Sequence, residues 1–229
     1  MIRLLSTAAA LSLIGATPAL ATPIMLDESN VGESFTLSYD GFSDGATIDG
    51  LGAEATFTLT GVTDHSFTFD YAVTNTTDSG LTSRISSFAF NTDPDIASAS
   101  STGAFSYTVQ DSNYPNGIGK VDVCFKAART NSCAGNRGGV SEGATGTGSL
   151  TLNFADIVDS ISLSDFFVRY QSITGAGHVS SASGAGTPTS TSTSTTSGTT
   201  VPEPGMLGLF GAGLLGLGLM RRRRKPAVA

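Results

Sequence analysis

The chain has 229 residues with 12 Lys and Arg against 19 Asp and Glu, 28 glycines and no Trp. A formal charge of −7 argues against a nucleic-acid-binding role, because a net-acidic surface repels a polyanion. Charge at only 14% of positions, with Ser, Thr and Gly abundant, argues against a helical bundle and points to an exported β-protein.

The first 21 residues divide into the three parts of a secretory signal peptide. Arg3 supplies the positive start, Leu4 to Ile14 is mostly apolar, and Ala19-Leu20-Ala21 has the small-x-small pattern of a cleavage site. Ala19 and Ala21 are therefore the expected cleavage residues, the mature chain is expected to start at Thr22, and the Sec translocon is the implied partner. Cys124 and Cys133 fit an oxidising compartment, where eight intervening residues suit a local disulfide. Zinc would need four ligands and no His lies beside these thiols, while a reactive pair would call for C-x-x-C spacing.

Residues 22–175 are expected to be one β-domain. Phe67, Phe69, Tyr71 and Val73 alternate with Ser66, Thr68, Asp70 and Ala72. The same period of two runs through Phe35/Leu37/Tyr39, Phe57/Leu59, Phe88/Phe90, Phe105/Tyr107/Val109, Val121/Val123/Phe125 and Leu150/Leu152/Phe154. Phe166 to Tyr170 reads as a more buried strand. Turn chemistry separates the runs at Asp40-Gly41, Asp44-Gly45, Asp49-Gly50, Asp78-Ser79-Gly80 and Asn116-Gly117. About eight strands, each with one apolar face, predict a single antiparallel β-sandwich of jelly-roll type. If Val121, Val123 and Phe125 face the core, Cys124 faces outward. The disulfide then lies on the outer face or edge, holding down the Gly- and Asn-rich residues 127–139.

Residues 176–200 are almost wholly Ser, Thr, Gly and Ala, with Pro188, and read as a flexible stalk, whose run Thr187–Thr200 has almost no apolar side chain and cannot bury a core. Of the cations, Arg3, Arg221–Arg224 and Lys225 lie outside residues 22–200, as does one acid, Glu203. The segment 22–200 keeps 6 basic and 18 acidic residues, a net of −12.

The tail has three parts in a fixed order. Pro202-Glu203-Pro204 is a rigid, extended turn, since proline blocks helix continuation. Residues 205–220 then carry no charge, and as a helix would span about 24 Å, short for a hydrocarbon core of about 30 Å. The basic cluster Arg221, Arg222, Arg223, Arg224 and Lys225 can reach back to the interface and hold that end in the cytoplasm. This arrangement closely resembles the PEP-CTERM sorting signal of Gram-negative bacteria. The resemblance implies a C-terminal transmembrane helix in the precursor, held in the inner membrane until an exosortase cuts near Pro202–Pro204. It implies further an association with exopolysaccharide and biofilm. With two cysteines, Thr22-Pro23-Ile24-Met25-Leu26-Asp27 and Val168-Arg169-Tyr170-Gln171-Ser172, the chain is also similar to the cistern group of such proteins.

Chemistry in the body is sparse. Gly139-Val140-Ser141-Glu142-Gly143 matches G-x-S-x-G, with Asp156 and His178 following in order, but the motif needs a strand-to-helix turn in an α/β sheet. Asp40, Asp44 and Asp49 are the candidate calcium ligands; Asp-Gly is equally a hairpin signal, and cation site and plain turns stand as alternatives. No other cofactor is expected. Alternation points Tyr39, Tyr71 and Tyr107 at the core and leaves Tyr170 ambiguous and Tyr114 free, which offers little of a stacking platform for a sugar. The expectation is a non-catalytic surface or matrix protein, with a carbohydrate- or calcium-binding adhesion module as the alternative.

Overall fold

A computed structural model describes residues 23–192. The signal peptide with Ala19 and Ala21, the apolar run 205–220, the Pro-Glu-Pro motif and the basic cluster lie outside them. Among the described residues no helix is long and apolar enough to cross a membrane.

The described chain is antiparallel β-structure with two single 3₁₀ turns, Glu28–Asn30 and Gly103–Phe105. Its strands are β1 Ile24–Asp27, β2 Ser34–Ser43, β3 Ala46–Thr63, β4 Ser66–Asn75, β5 Thr82–Asp93, β6 Ser98–Ser101, β7 Tyr107–Tyr114 and β8 Gly119–Lys126. They continue with β9 Val140–Ser141, β10 Thr145–Asn153, β11 Ser160–Thr174 and β12 Ser181–Ser192. The order is β6-β10-β4-β3-β2-β12-β11-β5-β8-β7, with β1 added to β11 and β9 to β5.

Phe57 of β3 places its ring 5.6 Å from Phe88 and 6.3 Å from Phe90 of β5, four places away in the sheet. Two walls therefore face each other across an aromatic core, as expected for a sandwich. The walls are one continuous sheet, however, curled until its ends meet. There Thr108 Oγ1 donates to the Ala99 carbonyl (3.2 Å) and Gln110 Nε2 to that of Ile96 (3.4 Å). Near-closure into a barrel hides the edges that an open sheet would expose.

The period-two residues of β2, β3, β4, β5 and β10, with Val123 and Phe125 of β8, are buried in the core as read; Val121, expected beside them, is instead buried in a separate small cluster with Cys124. Asp44-Gly45 is the β2–β3 hairpin, with φ of 50° and 79° at its two central residues and Ser43 opposite Ala46, a two-residue turn of the primed kind. The flanking Asp-Gly pairs are not turns. Asp40-Gly41 lies inside β2 and Asp49-Gly50 inside β3. Gly41 is required because a Cβ there would overlap Leu51.

Two expectations are corrected. Phe105 reaches the core from a 3₁₀ turn, not from a strand, so the alternation does not carry through to Tyr107, which is 42% exposed. The segment expected to begin a stalk at residue 176 instead supplies β12, a strand in the middle of the sheet between β2 and β11. Its small residues fit under large neighbours: a Cβ on Gly184 would lie 3.0 Å from Tyr170 Cε2, and one on Gly186 2.8 Å from Tyr39 Cε1. Tyr170 donates across this strand to the Tyr39 carbonyl (3.2 Å). Pro188 is tolerated because β11 stops pairing with β12 at Ala185, leaving that side of the strand free of a ladder.

Candidate functional site

The sequence-predicted calcium ligands are not brought together as a trio. Asp44 sits at the hairpin tip, while Asp40 and Asp49 line an open groove of about 400 Å³ with Thr76 and Asp78. Among the described residues no group of three or more His, Cys, Asp or Glu side chains is placed to hold a metal ion. Val140 and Ser141 of the G-x-S-x-G match form β9 against Ile85 and Arg84 of β5. The chain then turns into strand β10, so the helix that a nucleophile elbow requires is replaced by a strand. His65 is an exposed turn residue whose Nδ1 lies 3.0 Å from the Asp156 carbonyl oxygen.

The disulfide forms as expected, with Cα atoms 6.1 Å apart. It does lie on the outer face, but that face is covered. Cys124 and Cys133 are fully buried with Ala89, Tyr114 and Val121 in a second small cluster. A crosslink closing so short a loop contributes about 2–3 kcal/mol by the chain-entropy argument. Tyr114, expected to be free, is 3% exposed, and its hydroxyl lies 3.4 Å from both the Oγ and the carbonyl oxygen of Ser87. Burial pushes its phenol pKa up. Tyr107 takes its place as the exposed tyrosine.

Beneath residues 127–139 runs a polar row that sequence reasoning missed. Lys126, Ser87, Arg169 and Ser183 are successive Cα partners across β8, β5, β11 and β12, so their side chains share one face, opposite the aromatic core. Lys126 and Arg169 are only 4% and 6% exposed. The covering loop turns its carbonyls toward this floor. Arg84 donates to the carbonyls of Asn136 and Gly138, and Lys126 to that of Thr130. Ser87 Oγ donates to Cys133 O (3.0 Å) and Gln171 Nε2 to Ala134 O (3.1 Å).

Among the described residues neither buried cation has a carboxylate partner. Arg169 donates through Nη2 to Ser181 Oγ (2.8 Å) and through Nη1 to Ser183 Oγ (3.4 Å), and its buried Nε has no hydrogen-bond partner. Desolvation lowers the pKa of both Arg169 and Lys126 from their ordinary values. The one ion pair among the described residues is elsewhere and exposed, Lys120 Nζ to Asp111 Oδ1 at 2.8 Å. The signal that could have found this floor was a strand reading Val-Arg-Tyr-Gln, polar on the face away from the core.

Neither the comparison with curated proteins nor that with solved structures gives a match. A family model described as the PEP-CTERM protein-sorting motif matches residues 200–225. That span holds Pro202, Glu203, Pro204, the apolar run and the basic cluster through Lys225, which are the residues on which the resemblance rests. The chain carries a PEP-CTERM sorting motif and is an exosortase-targeted exported protein.

Proposed function

We propose that the protein is a non-catalytic component of the cell surface or extracellular matrix, associated with exopolysaccharide. Its body is released or transferred by an exosortase after Sec-dependent export. The observation that carries this reading is the sorting motif at residues 200–225, placed directly behind an all-β body. A signal peptide that opens the inner membrane to the chain, a membrane span that halts it and a cut near Pro202–Pro204 form one ordered route. The absence of a strand-to-helix turn at Ser141 supports a structural rather than a hydrolytic role for the body. Mass spectrometry of the exported protein is expected to find a new C-terminus at or near Pro202–Pro204. A C-terminus intact through Ala229 in a strain that carries an exosortase would sink the proposal.

A second reading, a calcium-dependent adhesion module, has in its favour only that Asp40, Asp49 and Asp78 line one groove, where they are not gathered to hold an ion as they stand. Hard oxygen donors of this kind suit calcium. On that reading, calcium at about 100 times its Kd stabilises the fold by about 2.7 kcal/mol and raises the melting temperature. An unchanged melting temperature in millimolar calcium eliminates the calcium arm.

A further inference from the structure

The six cations of residues 22–200 are Arg84, Lys120, Lys126, Arg129, Arg137 and Arg169. Lys120 is neutralised by Asp111. The other five belong to one face of an otherwise acidic domain. Lys126 and Arg169 form its floor, Arg84 clamps the covering loop from β5, and Arg129 and Arg137 stand exposed on that loop. Tyr107, the Cα partner of Lys126 on the end strand β7, places an exposed ring at the border of the same row.

We propose that this face binds an acidic polysaccharide, a sugar chain carrying carboxylates at intervals, through Arg129, Arg137 and Tyr107. The inference rests on the matrix reading and names the ligand class for it. Burying a cation without a counter-ion costs desolvation energy, and this fold accepts that cost twice on one face. Charges held in a low-dielectric layer are weakly screened, so they add to the potential at the surface above them. Carboxylates elsewhere on the domain are screened beyond about 8 Å at physiological salt. The exposed guanidinium groups can each take a carboxylate through paired N–H donors. The Tyr107 ring offers an apolar face with a polar edge, which suits a sugar ring and has no use for a bare polyanion. A domain of net −12 also repels polyphosphate or nucleic acid, with a charge on every phosphorus, more strongly than a sugar chain whose carboxylates stand a whole ring apart.

Affinity electrophoresis of the exported protein through gels holding polygalacturonate, dextran or polyphosphate tests this. Polygalacturonate is expected to retard the protein and dextran not to. The double variant Arg129→Gln/Arg137→Gln is expected to raise the polygalacturonate Kd by about tenfold or more, and Tyr107→Ala by about threefold or more, with melting temperatures unchanged. The proposal is overturned by a lack of retardation in polygalacturonate, or by a double variant that binds like the parent. Retardation by polyphosphate as strong as by polygalacturonate, with Tyr107→Ala without effect, overturns it too, since that is charge attraction alone. Co-fractionation with the producing strain's exopolysaccharide is measured alongside. Co-fractionation without polygalacturonate binding overturns the site and leaves the matrix reading standing; binding without co-fractionation supports the site and overturns the matrix reading.

Discussion

A chain ending at Ser180 is expected not to fold, whereas one ending at Ser194 melts cooperatively. The difference is β12, which pairs with β11 from Phe167↔Ala185 to Gln171↔Ser181 and with β2 from Ser183↔Phe42 to Ser192↔Ser34. Removing a middle strand severs both ladders and leaves two long unpaired edges. It also uncovers the side chains that Gly184 and Gly186 admit, Tyr39 and Tyr170, whose phenols are buried and held far from ionisation by desolvation. Each lost backbone hydrogen bond costs about 0.5–1.5 kcal/mol net, and more than five are lost, so the deficit matches the whole stability of an ordinary domain, about 5–15 kcal/mol. Circular dichroism against temperature decides the matter. A cooperative melt of the Ser180-terminated chain within a few degrees of the longer one would show that β12 is dispensable.

The segment that matters most to this prediction was the least legible. Residues 181–192 carry no large apolar side chain, so hydrophobic periodicity sees nothing. Their strand character is dictated by neighbours: Tyr39, Phe166 and Tyr170 fill the space above a strip that must stay small. By contrast, β2, β3, β4, β8 and β10 bring their own alternating Phe, Leu, Tyr and Val, and were readable from them. The short β1, β6 and β9 hold two to four residues each, too few to display a period. The disulfide was legible from two cysteines and a compartment. The floor under it was not, because β11 is buried on both faces and Arg169 and Gln171 interleave with Val168 and Tyr170. Only the pairing of strands distant in sequence shows Lys126 and Arg169 flanking one serine.

The place of β12 also bears on export. It is the last strand among the described residues, and nine residues, 193–201, separate it from Pro202. A sheet whose middle strand is translated last cannot close before that strand has been translocated. If the proposed cut falls near Pro202–Pro204, β12 stays with the body and processing costs the fold nothing.

Gly148→Val is expected to destabilise the protein by about 3–4 kcal/mol, at the upper end of overpacking effects, and to lower its melting temperature by about 10 °C. Gly148 of β10 lies opposite Tyr71 of β4, and a Cβ there would overlap both the Tyr71 hydroxyl and the Thr102 carbonyl. Those groups are the hook of a corner. Tyr71 Oη donates to Thr102 O (2.6 Å) and accepts from Phe105 N (2.9 Å), which holds the 3₁₀ turn between β6 and β7. The turn delivers Phe105 into the core, 5.2 Å from Phe88 and 5.9 Å from Tyr71 between ring centroids. It also carries the chain from one end of the sheet to the other, so the hook is where the barrel is fastened. Tyr71→Phe separates the two contributions: it removes both hydrogen bonds without adding an atom and is expected to cost about 1–3 kcal/mol. If Gly148→Val melts within two or three degrees of the parent, the corner yields without loss and is no fastening. If Tyr71→Phe proves as damaging as Gly148→Val, the hydrogen bonds and not the missing side chain are what the corner requires.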